Sequence, residues 1–187
     1  MAVLPITVYG DKILRKKANK VTEVDLKTIE LIKNMFDTMR NANGIGLAAN
    51  QVGSDKSIFV VDISQVEDYE DTKPIALINP KIIERSEKKV LIEEGCLSIP
   101  DVREEVRRPE SITIVYHDTD LQEHTLEADG LMARVMQHEF DHLQGILFTD
   151  LISDDLKKKY KKDINRIRKR KIEIEYPITE DMDYQLA

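Results

Sequence analysis

The segment from Gln137 to His142 carries the most informative group of reactive side chains in this chain. It reads Q-H-E-F-D-H, so that His138 and His142 stand four residues apart and Glu139 lies between them. On a helix, residues i and i+4 share one face, so two imidazoles can reach one metal ion while the carboxylate takes a proton from water. The spacing therefore predicts a metal site with a general base, and the plainer alternative is a solvated helix that happens to carry two histidines.

A catalytic metal site usually takes three protein ligands, so a third ligand must be found elsewhere. Cys96, the only cysteine, is the candidate, because a glycine gives the backbone freedom directly after a predicted strand. A single cysteine can equally be buried filler or a nucleophile. His117 and His124 flank a predicted hairpin turn and are expected at the surface. A closed structural site that adds one of them to the other three ligands stays open as an alternative.

A glycine-rich segment, Gly44–Gly53, formally matches the dinucleotide-binding pattern G-x-G-x-x-A. That pattern needs a strand before it and a helix after it, whereas here a helix precedes and a loop follows. We interpret the segment as a loop whose backbone approaches a substrate closely, with the Gln51 amide available to a developing oxyanion. The alternative for Gln51 is an amide that only ties the loop together.

Hydrophobic periodicity predicts an α+β fold in which mostly antiparallel sheets pack around a central helix that carries the histidines. Helices are predicted over about residues 25–42, over about 130–144, and from near Ser153. Strands are predicted over residues 57–63, 75–83, 89–93, 112–117 and 123–128. In the second helix Leu131 and Val135 share the histidine stripe, so an apolar wall is expected to lead to the metal.

Length and charge suggest one acidic domain with one basic patch. The 187 residues fit a single domain, 1–187, and the formal net charge is −7. A basic helix is predicted at about residues 153–171, and an acidic tail follows it over residues 172–187. Within the helix, Lys157–Lys171 holds ten Lys or Arg residues against one acid. An inner stripe of this helix is expected to face the domain: Leu156, Tyr160, Ile164 and Ile167. Its outward residues are expected to be Lys158, Lys159, Lys161, Lys162, Arg166, Lys169 and Arg170.

Targeting signals are not apparent in this sequence. No run approaches the ~20 apolar residues of a membrane span, and the N-terminus lacks the pattern of a signal peptide. We therefore expect a cytoplasmic protein without a membrane partner. The basic segment 157–171 is either a solvated helix face or a surface that docks on phosphates.

Three segments resemble the three motifs of the peptide deformylases, in the same order and at similar spacing. They are G-I-G-L-A-A-N-Q at 44–51, E-G-C-L-S at 94–98 and Q-H-E-F-D-H-L-Q-G at 137–145. The resemblance runs from Pro5 to about Leu151. It implies that Cys96, His138 and His142 hold one divalent metal, with Fe²⁺ expected; a thiolate and two imidazoles also bind Zn²⁺, Ni²⁺ or Co²⁺.

The resemblance also implies an activity, which is removal of the formyl group from formyl-Met nascent polypeptides with release of formate. Glu139 would be the general base and acid, and Gln51 with the backbone N–H of Leu97 would stabilise the oxyanion.

The basic segment 157–171 would suit docking on the ribosome. Residues expected at the substrate are Ile45, Gly46, Leu131, Val135 and Arg103. Arg103 is expected beside the peptide backbone, with a solvated charge as its alternative. Arg134 stands where some members have an apolar residue; it lies off the histidine stripe, so this departure bears only on the rim of the pocket.

Two rival functions remain open at this point. A general zinc peptidase of the H-E-x-x-H type would draw its third ligand from downstream, where Asp150 and Asp154 stand. A non-catalytic binding module would hold a closed structural metal.

Overall fold

The computed structural model describes residues 2–186. This part of the chain forms seven strands and three α-helices. The strands are β1 (Gly46–Ala48), β2 (Ile58–Val61), β3 (Ile75–Arg85), β4 (Lys89–Cys96), β5 (Ile99–Pro109), β6 (Ser111–His117) and β7 (Glu123–Asp129). The helices are α1 (Leu26–Asn41), α2 (Gly130–Leu143) and α3 (Asp154–Arg168). Within the same residues, no helix is long and apolar enough to cross a bilayer.

The strands form one five-stranded sheet and one separate hairpin. The sheet has the order β1-β2-β3-β6-β7, and every neighbouring pair in it is antiparallel. Strands β4 and β5 pair with each other, in an antiparallel register that runs from Lys89 opposite Pro109 to Cys96 opposite Ile99. The arrangement confirms the predicted α+β fold with antiparallel sheets.

Helices cover both faces of the five-stranded sheet at its β1–β2 end, and strand β2 shows how. Successive side chains of a strand point to opposite faces. Ile58 and Val60 belong to an apolar cluster that includes the buried face of α1, whereas Phe59 and Val61 belong to the cluster that includes α2. Because each face of β2 meets a helix, all four side chains are fully buried.

The opposite side of α2 faces the β4–β5 hairpin. The Arg134 side chain donates hydrogen bonds to the carbonyls of Val90 on β4, at 2.8 Å, and Val106 on β5, at 2.7 Å. The histidine-bearing helix is therefore enclosed between two antiparallel units.

The predicted helix boundaries agree closely with the structure because capping residues mark them. Asp25 caps α1 by accepting a hydrogen bond from the Thr28 N–H at 2.8 Å. Ser153 caps α3 in the same way, accepting from the Leu156 N–H at 3.4 Å.

Two parts of the secondary-structure prediction are wrong. The segment Gly44–Gly53 is not a plain loop, because Gly46–Ala48 pairs with β2 and Ala49–Val52 forms a 3-10 turn. Strand β5 was not predicted at all. Its inward-facing positions include Arg108, which is buried at 5% exposure, so the buried face of the strand does not read as apolar in the sequence.

The segment that follows α3 folds back along the domain. Ile6 forms a parallel bridge with Ile178, and the Leu186 N–H donates to the Gly53 carbonyl at 2.8 Å. Arg170, expected to face outward, is instead half-buried and paired with the buried Asp11. A neighbouring carboxylate explains this position, since it compensates the loss of hydration of the guanidinium.

Candidate active site

Strand β4 and helix α2 bring the three predicted metal ligands together. Cys96 ends β4, and His138 and His142 lie one turn apart on α2. The Cys96 Sγ lies 3.2 Å from the His142 Nε2, and the ligand atoms of all three residues lie within 4.8 Å of one another. The histidine spacing and the end of the hairpin thus converge on one point.

The donor set fits a divalent transition metal. A thiolate and two imidazoles are soft or borderline ligands that suit such ions. Burial holds the pKa of His142 well below its usual value, so its ring is neutral and free to act as a ligand. In residues 2–186 the ligand group contains these three residues and neither of the other histidines. His124 pairs instead with Asp118 at 2.6 Å on the β6–β7 hairpin, so the closed site with a fourth histidine is not formed.

Glu94 orients His138 from behind. Its Oε2 lies 2.9 Å from the His138 Nδ1, which leaves the Nε2 of that ring available to a metal. Although burial opposes ionisation, hydrogen bonds from His138 and Arg108 hold the pKa of Glu94 well below its usual range. The carboxylate is therefore charged and can fix the ring orientation.

Two arginines complete this buried network. Arg108 donates to Glu94 from its Nε at 2.6 Å and from its Nη2 at 3.0 Å, and to Asp141 at 2.5 Å. Arg134 donates to Glu94 at 2.7 Å. Arg134 borders the pocket, yet it is only 4% exposed, because Glu94 and two backbone carbonyls of the hairpin bind its guanidinium.

Glu139 lies against the glycine-rich segment. The backbone there approaches so closely that a Cβ on Gly46 would lie 2.6 Å from the Glu139 Oε1. The Oε2 is buried, and none of the described protein groups forms a hydrogen bond with it. Burial raises the pKa of Glu139 to about 7, which suits a group that exchanges protons near neutral pH.

Gln51 reaches the same place from the other side. Its Oε1 accepts a hydrogen bond from the Ala48 N–H at 2.8 Å, while its Nε2 lies 3.6 Å from the Cys96 Sγ and 3.2 Å from the Ser98 Oγ. The Gln51 amide therefore ties the loop together, which was the alternative for this residue, and its N–H groups also lie beside Cys96. Leu97 occupies the turn that directly follows Cys96.

A pocket of about 600 Å³ opens over these groups. It is lined by the residues expected at the substrate: Ile45, Gly46, Leu131, Val135 and Arg103. Arg103 is exposed and lies 3.7 Å from Glu93, so its charge faces solvent while its side chain borders the pocket. One wall was not foreseen from the sequence: residues 173–176 of the C-terminal segment also line the pocket.

Comparison with known proteins identifies the family. The chain matches the family model for polypeptide deformylase over residues 3–158. The chain belongs to the peptide deformylase family. A peptide deformylase of Chlorobium phaeovibrioides is 47% identical over 176 residues, which cover 94% of this chain and 92% of that protein.

Solved peptide deformylase structures share the fold. The enzyme from Thermotoga maritima is 40% identical with a TM-score of 0.76, and the match covers 82% of this chain and 99% of that one. The enzyme from Ehrlichia chaffeensis is 37% identical with a TM-score of 0.82, and the match covers 91% and 97%. Peptide deformylases are metalloenzymes that remove the N-formyl group from the methionine of newly synthesised proteins. This chain is such a hydrolase, and it acts on nascent peptides that begin with formyl-Met.

Proposed function

We propose that Cys96, His138 and His142 hold the metal of this deformylase, and that the physiological ion is Fe²⁺. The convergence of one thiolate and two imidazoles is the observation that carries the proposal. The expectation of Fe²⁺ comes from the family. Zn²⁺, Ni²⁺ or Co²⁺ would bind the same ligands in purified protein.

A bound divalent ion lowers the pKa of water and polarises a carbonyl. Glu139 accepts the proton of the attacking water on its unpartnered Oε2 and delivers it to the amine nitrogen that leaves. The water oxygen joins the formyl carbon, the C–N bond breaks, and formate and a free amino terminus result. The Gln51 side chain and the Leu97 backbone N–H donate hydrogen bonds to the oxygen that gains charge.

The pocket provides the selectivity. A formyl carbon carries only hydrogen, so a tight space beside Gly46 admits it and excludes the methyl of an acetyl group. Ile45, Leu131 and Val135 form an apolar wall that takes the unbranched side chain of methionine. Arg103, at the mouth, donates to carbonyls of the extended peptide.

The basic segment 157–171 is proposed to dock on ribosomal RNA phosphates, which would place this enzyme in the cytoplasm where nascent chains emerge. Leu156, Tyr160 and Ile167 pack against the domain core, so the helix is anchored along one side. Exposed cations remain on the other side: Lys161, Lys162, Arg166 and Lys169.

The rival zinc peptidase would need a downstream carboxylate as its third ligand. Asp150 is bound instead by Arg15, at 2.5 and 3.1 Å, and by the Leu147 N–H at 2.9 Å. Asp154 pairs with Lys157 on the exposed start of α3. Both carboxylates therefore have other partners.

Formate release tests the proposed function most directly. Protein reconstituted with Fe²⁺ without oxygen should release formate from a formyl-Met peptide and should leave an unformylated peptide intact. Cys96→Ala should lose both tight metal binding, measured by metal analysis after dialysis, and turnover. Undiminished metal binding in that variant would contradict the assignment of Cys96.

A further inference from the structure

The C-terminal segment reaches the active site through one side chain. The Tyr176 hydroxyl donates a hydrogen bond to the Leu97 carbonyl at 2.7 Å. Leu97 directly follows the metal-ligand candidate Cys96, and Tyr176 itself lines the substrate pocket. The match to the family model ends at residue 158, so this contact comes from a part of the chain that the model does not match.

The turn at Leu97 is held from several directions. Leu97 and Ser98 connect β4 to β5, between the paired residues Cys96 and Ile99. The Ser98 carbonyl accepts from the Tyr9 N–H at 2.8 Å, and the Ser98 Oγ accepts from Gln51. Tyr176 binds the other carbonyl of the turn, that of Leu97.

The Leu97 side chain is also confined. It packs so closely on the glycine-rich segment that a Cβ on Gly44 would lie 2.7 Å from the Leu97 Cδ1. With its side chain packed and the next residue bonded, the remaining freedom of Leu97 is rotation of the Leu97–Ser98 peptide, the rotation that separates one turn type from another. The bond from Tyr176 to the Leu97 carbonyl opposes it. The Leu97 N–H belongs to the preceding peptide, so Tyr176 acts on it by holding in place the Leu97 Cα, to which both peptides are attached.

The segment that carries Tyr176 is itself fastened to the domain. The Pro177 carbonyl accepts from the Ile6 N–H at 2.9 Å, and the Thr179 N–H donates to the Ile6 carbonyl at 3.0 Å. Ile172 and Ile178 pack against the apolar cluster that includes Ile99. Tyr176 is therefore presented to the turn by a stretch that is anchored on both sides.

We propose that Tyr176 is a positioning residue for deformylation: its hydroxyl fixes the turn that presents the Leu97 N–H, which makes the stretch 172–179 part of the active site. The proposal rests on the proposed function, because it takes the Leu97 N–H as a donor to the oxyanion. Tyr176 acts through Leu97 and takes no part in proton transfer.

The test compares Tyr176→Phe with Tyr160→Phe. Tyr160 serves as the control, because its hydroxyl also lies within hydrogen-bonding distance of a backbone carbonyl, that of Arg103 on β5 at 2.9 Å, with the Glu104 carboxylate as a second acceptor at 3.0 Å. Loss of a whole oxyanion donor costs about 10²–10³ in kcat, so a donor that is merely less well held should cost about ten-fold. Tyr176→Phe should lower kcat by that factor with KM within about two-fold, and Tyr160→Phe should leave kcat unchanged.

Two further readouts separate positioning from general destabilisation. Hydrogen exchange of the Leu97 amide, followed by NMR, should become faster in Tyr176→Phe and not in the control, while metal content and melting temperature match the control. Unchanged kcat and unchanged exchange would overturn the proposal. So would a loss of kcat that only parallels a loss of metal or of melting temperature. If wild-type protein releases no formate, the proposed function itself fails, which is a different outcome.

Discussion

Two glutamates flank His138 in opposite electrostatic surroundings. Glu94 lies among positively charged donors that hold its pKa below the usual range despite burial, whereas burial raises the pKa of Glu139 to about 7. Carboxyl groups whose surroundings separate their pKa values in this way divide the work of holding charge and moving protons. Glu94 is therefore suited to orient the His138 ring, and Glu139 to exchange a proton.

Glu139→Gln should keep the fold and the metal but lose about 10²–10⁴-fold in kcat, because the amide fills the same volume and cannot accept a proton. Formate release and metal analysis measure the two effects. Glu127→Gln, on an exposed position of β7, is the control for removal of one charge and should keep wild-type turnover. Turnover of Glu139→Gln near the control would contradict the role of Glu139.

Gln51→Ala should lower kcat by about 10²-fold and change KM far less, because a donor to the oxyanion is used mainly in the transition state. Steady-state kinetics on a formyl-Met peptide separate the two constants. Gln122→Ala, at an exposed position, should change neither. A rise in KM without a fall in kcat would show that Gln51 serves substrate binding instead.

At the residue scale, sequence reasoning works for local geometry and fails for partners that the fold supplies. The histidine pair could be predicted because residues i and i+4 share a helix face. The burial of Arg134 could not, since it depends on Glu94, forty residues earlier on another element. Tyr176 carried no signal either, because nothing in its local sequence shows that it meets Leu97.

At the element scale, the β4–β5 hairpin and helix α2 are joined by charge as well as by apolar packing. Arg108 on β5 contacts Glu94 on β4 and Asp141 on α2. The same arginine explains why β5 could not be predicted from the sequence, because a charged residue at an inward position breaks the apolar alternation that marks a strand. The strand becomes recognisable only once its ion-pair partners are known.

Arg108→Met should lower the free energy of unfolding by up to about 3–5 kcal/mol, the range for breaking a buried ion pair, because Glu94 keeps only Arg134 of its two arginines and Asp141 loses its bond to Arg108. Urea denaturation followed by circular dichroism measures the change. Arg107→Met is the matched control: this neighbour on β5 is exposed, and its substitution should stay within about 0.5 kcal/mol. Equal losses in the two variants would show that the network contributes nothing specific.

The apolar face of α2 beside His138 and His142 should set substrate choice. Leu131 and Val135 lie in the pocket wall, and one methylene in such a pocket changes kcat/KM by about 10–200-fold. We expect kcat/KM for a formyl-Met peptide to exceed that for acetyl-Met by at least this factor, and that for formyl-Asp by more, since the wall offers no partner to a carboxylate. Equal values for the three peptides would refute the assignment of this pocket.

At the scale of the whole molecule, charge is distributed unevenly. The chain has a net charge of −7, yet Lys157–Lys171 is strongly basic. Several of these cations already have partners: Lys157 and Lys158 pair with acids at the start of α3, and Lys159 with Glu104. The outward face left for a phosphate partner is thus narrower than the sequence suggests, and Arg170 does not belong to it.

The last prediction concerns this narrower face. Charge reversal of Lys161, Lys162 and Lys169 should reduce co-sedimentation with ribosomes at low salt. It should also weaken the dependence of binding on salt, because binding through fewer phosphate contacts releases fewer counterions. Activity on short formyl-Met peptides should stay near wild type, since these side chains are exposed and outside the pocket. Reversal of Lys20, Lys27 and Lys33 makes the same change of net charge at other exposed positions and should leave co-sedimentation much closer to wild type. Equal losses in both variants would show that only the net charge of the protein matters for co-sedimentation. If the wild-type protein shows no salt-dependent binding to ribosomes, this face is ordinary solvated surface.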